Sequence, residues 1–171
     1  MKNTKIQWIG LFLVIIALGF TPACGYQLIG AKGIYGGEIS SVYISVITNS
    51  TYEPSISQPV TDSFSKELLM SGLFTLNHQS SDAYVKGNIT NVATYASALG
   101  TDGVVTEKLV LVEMTASLYQ RSGKLVKTFP LSDTEIYKIQ NTAEEYNRRE
   151  AIRRLSARMA RRFSAQLLLE Y

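Results

Sequence analysis

The stretch Glu107–Tyr119, with the sequence EKLVLVEMTASLY, decides the fold because its residues alternate in character along its whole length. Every second residue from Val110 to Leu118 is apolar, whereas the residues between them include charged and hydroxyl side chains. A period of two is the period of a β-strand that buries one face. We therefore predict a long strand whose core face carries Lys108, Val110, Val112, Met114, Ala116 and Leu118.

Short turns flank this strand on both sides. Arg121–Lys124 leads into a further strand from Leu125 to about Tyr137, and the turn Leu99–Gly103 follows a strand from Ala83 to about Ala96. Long strands joined by such short connections pair antiparallel. Pro130 inside the last strand predicts a bulge or an edge position, because proline cannot donate to a hydrogen-bond ladder.

A short strand and a helix precede these three strands. Val42–Ile47 is β-branched and alternating, which predicts a strand with Val42, Ile44 and Val46 on one face. Ser57 is suited to cap a helix that has Pro59 in its first turn, where the missing N–H costs nothing. The apolar stripe of this helix is Val60, Phe64 and Leu68, and Gly72 is its predicted stop.

A second helix follows the last strand and runs nearly to the end of the chain. Thr142 and Glu145 form a capping box at its start. Its apolar stripe is Ile152, Leu155, Met159, Phe163 and Leu167. The order β-α-β-β-β-α therefore predicts an α+β domain, in which two helices pack on one face of a four-stranded mixed sheet.

Arginine is concentrated in this second helix, since seven of the eight arginines lie between residues 148 and 162. Three glutamates stand four residues before an arginine: Glu144, Glu145 and Glu150. This spacing predicts ion pairs along the helix. The arginines opposite the apolar stripe are Arg154, Arg158 and Arg161. They form either a solvated outer face or a surface for an acidic partner or lipid phosphates.

The N-terminus has the pattern of an export signal. Lys2 and Lys5 are followed by the apolar run Trp8–Phe20 and by the small-residue approach Thr21–Ala23 to Cys24. As a helix this run would rise about 20 Å, which is short for a hydrocarbon layer of roughly 30 Å. We predict cleavage before Cys24 and lipid on its thiol. The alternative is an ordinary signal peptide with an unmodified cysteine nearby.

Cleavage at this point divides the chain into a signal peptide (1–23), a lipidated tether (24–40) and a single α+β domain (41–171). The loss of Lys2 and Lys5 leaves 15 basic residues against 14 acidic ones. A charge this close to balance argues against a nucleic-acid partner. With Cys24 acylated, no cysteine is left for a disulfide, so the fold depends on packing.

No arrangement of residues in the sequence is typical of catalysis, and we expect neither an enzyme nor a cofactor or metal site. His78 is the only histidine and lies in a polar stretch without cysteines or an acidic motif at ligand spacing. Glycine-rich phosphate loops and nucleophile elbows are also missing from the sequence. A solvated loop residue is the simplest interpretation of His78.

Two stretches resemble the lipopolysaccharide-assembly lipoproteins of the LptE family. Cys24–Gly30, CGYQLIG, is similar to the family's opening, a lipidated Cys-Gly followed by an aromatic residue and a leucine. Val46–Pro54, VITNSTYEP, is similar to its strand ending in Asn-x-Thr and a Glu-Pro before the first helix. The later order of elements and the chain length also match.

The resemblance implies a lipid-anchored protein on the periplasmic side of the outer membrane. It would bind lipopolysaccharide, and it would plug and help assemble a β-barrel partner of the LptD type that inserts lipopolysaccharide. Basic residues near strand and loop ends bind the ligand in this family, and Lys108 and Lys138 are our candidates. The alternative is an accessory lipoprotein of another outer-membrane complex, such as a secretin pilot or a cell-wall synthase activator.

Overall fold

A computed structural model of the chain describes residues 34, 39–70, 72, 81–139 and 143–169. Its strands are β1 Val42–Ile44, β2 Thr48–Asn49, β3 Ala83–Leu99, β4 Val105–Gln120 and β5 Leu125–Lys138, and its helices are α1 Ser57–Met70 and α2 Glu144–Leu169. The predicted signal peptide, Cys24, most of the predicted tether, His78 and Thr142 lie outside the described residues.

The strands form one mixed sheet in the order β1-β3-β4-β5, with β2 also paired to β3. Both β1 and β2 run parallel to β3, whereas β3, β4 and β5 are antiparallel neighbours. The predicted alternation in β4 is confirmed, because Val110, Val112, Met114, Ala116 and Leu118 are all buried. Pro130 lies in the edge strand β5, as predicted.

The predicted strand Val42–Ile47 ends early, at Ile44, and a second short strand, β2, begins only at Thr48. The placement of Val46 on the buried face was wrong. The N–H of Ile47 leaves the sheet and donates to the hydroxyl of Thr61 in α1, at 3.0 Å. Val46 is exposed, whereas Ile47 is buried against Gly87 of β3. A side chain at position 87 would occupy the space of Ile47, so the packing of Ile47 on β3 depends on this glycine.

Both helices cover the same face of the sheet, and the predicted α+β class is confirmed. The ring of Phe163 in α2 packs between Phe64 of α1 and Phe129 of β5, with centroid distances of 6.3 and 5.2 Å. The predicted stripes of both helices are buried. α1 ends near Gly72, which has a φ of +72°, so the predicted stop is confirmed. Neither helix in the described part of the chain is long and apolar enough to span a membrane.

The long strands give the domain two distinct ends. At the tether end, the carboxylate of Asp82 accepts hydrogen bonds from the backbone and hydroxyl groups of Ser40 and Ser41, at 2.7 to 3.1 Å. These bonds, with that from the Ser40 hydroxyl foremost, lower the pKa of Asp82. The opposite end, called the turn end, carries the β3–β4 turn, the end of β5 and the start of α2. At about 3.3 Å per residue the seventeen residues of β3 separate the two ends by roughly 55 Å.

Candidate functional site

The turn end holds the predicted Leu99–Gly103 turn and both candidate lysines. Within the turn, the N–H of Gly100 donates to the carbonyl of Val104 at 2.7 Å, and Gly103 has a φ of +78°. A residue other than glycine would be strained at position 103. The turn is therefore a fixed tip between the two longest strands.

The structure brings Lys108 and Lys138 close in register but places them on opposite faces of the sheet. Lys108 is paired with Tyr137, and Lys138 with Glu107, in adjacent rungs of the β4–β5 ladder. Tyr137 is buried under the helices, so Lys108 is on the helix side and Lys138 on the other side. The expected approach of the two hairpin ends takes place, but the two ammonium groups do not face one common surface.

Lys108 already has a partner within the domain. Its Nζ lies 2.7 Å from Oε1 of Glu144, in the first turn of α2. The hydrogen bond with Glu144 raises the pKa of Lys108 despite partial desolvation. This pair links β4 to the start of α2, so Lys108 helps to hold the turn end together.

Lys138 instead contributes to a cleft of about 460 Å³ between the end of β5 and the first three turns of α2. The cleft is lined by Ile136, Tyr137, Lys138, Tyr146, Asn147, Glu150 and Arg154. Two large side chains in it are well exposed, Ile136 at 49% and Tyr146 at 60%. The cleft thus combines the cations of Lys138 and Arg154 with apolar surface, and one carboxylate, Glu150, lies among them.

Sequence reasoning missed the α2 side of this cleft. Tyr146, Glu150 and Arg154 are spaced by four residues, so they share one side of the helix. That spacing is visible in the sequence, but nothing in it indicates that this side of α2 lies beside the end of β5.

The arginines of α2 are largely engaged with other elements, which corrects the predicted ion pairs within the helix. Arg148 pairs with Glu53 at 2.6 Å rather than with Glu144, and Arg154 pairs with Glu135 rather than with Glu150. Glu150 pairs with Arg153 instead. These two predicted pairs fail because carboxylates in β5 and in the loop before α1 lie within reach of the same guanidinium groups.

Arg158 makes the most extensive of these contacts. Its guanidinium donates to Asp133 at 2.9 Å, to Glu135 at 2.6 Å and to the carbonyl of Thr134 at 2.7 Å. Burial acts to raise the pKa of Glu135, but hydrogen bonds from Arg154 and Arg158 outweigh it and lower that pKa. The arginines opposite the apolar stripe of α2 are partly solvated, which agrees with the interpretation of a solvated outer face. Arg154 and Arg158 among them also form ion pairs that link α2 to the edge strand β5.

The described residues offer little that is typical of catalysis. No group of three or more His, Cys, Asp or Glu side chains among them could hold a metal ion. What the described part of the chain offers is a two-layer α+β scaffold with a cationic and apolar cleft at one end. A cleft of this composition can accommodate a ligand that has both anionic and apolar groups.

The sequence model of the LptE family, described as lipopolysaccharide-assembly, matches residues 39–167. The chain belongs to this family, and the predicted resemblance is confirmed. It is therefore a lipopolysaccharide-assembly lipoprotein of the bacterial envelope, from a family of non-enzymatic proteins. No curated protein sequence matches the chain.

Solved structures support the fold. A lipoprotein from Caulobacter crescentus matches with a TM-score of 0.52 and 12% identity, covering 72% of this chain and 89% of that one. A Xanthomonas campestris protein matches with a TM-score of 0.52 and 10% identity, covering 74% and 85%. A Chlamydia trachomatis protein matches with a TM-score of 0.52 and 12% identity, covering 81% and 96%. At these identities the similarity concerns the fold alone.

Proposed function

We propose that this protein binds lipopolysaccharide at its turn end and assembles with an outer-membrane β-barrel of the LptD type, which it plugs during lipopolysaccharide insertion. The chain is exported, cleaved before Cys24 and held by lipid on that residue at the periplasmic side of the outer membrane. Membership of the lipopolysaccharide-assembly family supports the general role.

The observation that carries the ligand assignment is the cleft between β5 and α2. Lipopolysaccharide presents phosphates beside acyl chains, so its binding site needs cations next to apolar surface. Lys138 supplies the charge, together with Arg154, which also pairs with Glu135 at 2.7 Å. The exposed Ile136 and Tyr146 supply the apolar surface. Charge-assisted hydrogen bonds to phosphate are stronger than neutral ones, so each cation contributes to affinity.

Lys108 and Lys138 remain our proposed ligand residues, with different roles. Lys138 lines the cleft and would meet a phosphate directly. Lys108 forms an ion pair with Glu144 and would bind a phosphate only by exchanging that carboxylate for it. We therefore expect Lys138 to contribute more to affinity than Lys108.

Binding of purified lipopolysaccharide to single variants tests this assignment. Lys138→Asp should weaken binding by about tenfold, the equivalent of roughly 1.4 kcal/mol, and Lys108→Gln should weaken it less. Lys124→Asp makes the same charge reversal in the exposed turn at the tether end and should bind like the wild type. Equal losses in Lys124→Asp and Lys138→Asp would show that binding depends only on overall charge, which would rule out the cleft as the site.

Detergent extraction of the native membrane tests the partner. Co-purification of a lipopolysaccharide-assembly barrel supports the proposal, whereas a secretin or a cell-wall synthase in its place supports the alternative. Cys24→Ala tests the anchor, because the first described core residue, Ile34, lies ten positions after Cys24. We expect a folded variant that has lost its membrane attachment or its processing. Recovery of that variant with lipid still attached would exclude Cys24 as the acylation site.

A further inference from the structure

The two edges of the sheet differ in how far their backbone N–H and C=O groups are covered by other parts of the chain. This difference points to an interaction surface. An unpaired strand edge exposes backbone N–H and C=O groups that can pair with another chain. Folded proteins usually protect such edges with charges, prolines or covering elements. In this domain the β5 edge is protected from Pro130 to Lys138, and the β3 edge is protected only as far as Ile89.

The β5 edge is the protected one. The carbonyl of Thr134 accepts from Arg158 at 2.7 Å, and that of Ser132 accepts from Arg162 at 2.8 Å. The carbonyl of Lys138 accepts from the side chain of Asn147 at 3.0 Å, and Pro130 has no N–H to offer. Side chains of α2 therefore occupy three of the carbonyl groups that a further strand would need as acceptors.

The β3 edge is covered by β1 and β2 only as far as Ile89. The last backbone bond along this edge runs from the N–H of Ser50 to the carbonyl of Ile89, at 3.0 Å. The side chain of Asn49 then binds the N–H of Thr51 and the carbonyl of Glu53, which turns the chain away from β3. Beyond Ile89, no strand among the described residues pairs with this edge.

The uncovered segment, Thr90–Leu99 with the sequence TNVATYASAL, contains no charged residue and no proline. The pairing of this segment with β4 shifts register after Ile89 and again after Ala96. The stretch between the two shifts, from Asn91 to Ala96, is paired regularly. Ala83, Val85 and Ile89 direct their backbone groups away from β4. The shift after Ile89 adds one residue to β3, so the residues whose backbone N–H and C=O groups point away from β4 change from odd-numbered to even-numbered ones. In the regular stretch these residues are Val92, Thr94 and Ala96.

The centre of this stretch, Val92–Tyr95, pairs only with apolar residues of β4, whereas Glu113 and Lys108 lie opposite its two ends, Asn91 and Ala96. Both charges already have partners, since Glu113 accepts from the side chain of Asn91 and Lys108 pairs with Glu144. Tyr95 is 56% exposed and stands on the helix-free side of the sheet, in register with Leu109 of β4, which is in turn in register with Ile136 of β5. Thr94 and Ala96, on the helix side, are exposed as well. An added strand would therefore find backbone partners along the edge and an apolar surface for the side chains at its centre.

We infer that the β3 edge at Asn91–Ala96 is a strand-addition site, occupied by an extended, uncharged segment of the outer-membrane partner protein. The inference rests on the proposed function for the identity of that partner. The absence of charge from Thr90–Leu99 and from the β4 partners of Val92–Tyr95 selects a strand that is uncharged at its centre. A charged side chain placed there would lose water without gaining a free counter-ion. The partner strand continues the sheet from the point where β2 stops.

Amide hydrogen exchange, measured on the protein alone and on its purified complex with the co-expressed barrel partner in detergent, tests this site. We expect the amides of Val92, Thr94 and Ala96 to exchange rapidly in the free protein and at least about tenfold more slowly in the complex. A complex that forms without added protection at residues 91–96 would overturn the inference and leave the proposed function in place.

Matched variants on the two edges add a second measurement. Thr94→Lys places a charge on the open edge, whereas Thr134→Lys places one at an exposed position on the protected edge. We expect Thr94→Lys to weaken the complex at least about tenfold and Thr134→Lys to leave it unchanged, with similar melting temperatures for both. Wild-type affinity in Thr94→Lys would refute the site.

Two further outcomes also contradict it. Protection at residues 91–96 that grows with concentration in the protein alone would assign the edge to a second copy of this chain. Failure to form any complex with the barrel would refute the proposed function, and with it the occupant named for the edge.

Discussion

Replacement of Arg158 by alanine tests whether α2 stabilises the sheet through its arginines. The guanidinium makes two ion pairs, with Asp133 and Glu135, and one hydrogen bond to a backbone carbonyl. Exposed ion pairs contribute about 0.2–1 kcal/mol each, and a backbone hydrogen bond about 0.5–1.5 kcal/mol. Because the side chain is 37% exposed, solvent screening favours the lower part of these ranges.

The expected loss is therefore about 1.5 kcal/mol in the free energy of unfolding at pH 7. Arg154 and Arg162 still pair with the two carboxylates, and the freed carbonyl can bind water, so no buried unpaired group raises this figure. Arg158→Lys should lose about 1 kcal/mol, because a single ammonium cannot reach three acceptors in the geometry of a guanidinium.

Urea unfolding provides the measurement, with Arg153→Ala as the matched control. Arg153 makes one ion pair within the helix and is 61% exposed, so its removal should change stability by less than about 0.5 kcal/mol. Equal effects of Arg153→Ala and Arg158→Ala would refute the reasoning.

The same variant has a predicted pH dependence. The pKa of Glu135 lies below its ordinary value of 4.5, so its contribution is complete above that pH and is lost as the pH falls through the folded-state pKa. The difference between the wild type and Arg158→Ala should therefore be largest near pH 7 and should shrink as the pH falls below about 4.5. A difference that stays constant down to pH 3 would show that Arg158 acts through packing rather than charge.

Three further predictions concern the core and the tether end. Gly87→Ala would place a Cβ 2.7 Å from Cγ1 of Ile47, so we expect a loss of about 1–3 kcal/mol in urea unfolding, and a neutral result would contradict the close packing of β2 on β3. Phe163→Ala should cost about 3–5 kcal/mol, because this fully buried ring contacts two other phenylalanines; a loss below 2 kcal/mol would place the centre of the core elsewhere. Asp82→Asn should speed proteolysis next to residues 40–41 without unfolding the sheet, because a neutral amide oxygen is a weaker acceptor than the carboxylate; an unchanged cleavage rate would show that other contacts hold the tether.

The sequence by itself determined the secondary structure and the fold class. The alternation in Glu107–Tyr119 and the stripes of both helices reflect the backbone periods of 2 and 3.6, which are local properties. Burial confirmed each of these patterns. The family could also be named from short motifs, and the match over residues 39–167 confirmed it. The break at Ile47 was missed because its N–H bonds to Thr61 in α1 and its side chain packs on Gly87 in β3, and neither contact follows from the local pattern.

Only the tertiary structure decided which charged groups meet and which surfaces stay open. Arg158 finds its carboxylates 23 and 25 residues away in β5, and Lys108 finds Glu144 36 residues away, distances at which no helical or strand period applies. Lys138 lies in a cleft with Arg154 because α2 runs back along β5. The open edge of β3 likewise exists because β2 stops at Asn49. Such contacts depend on strand order and register, which are properties of the whole chain, and local sequence patterns do not encode them.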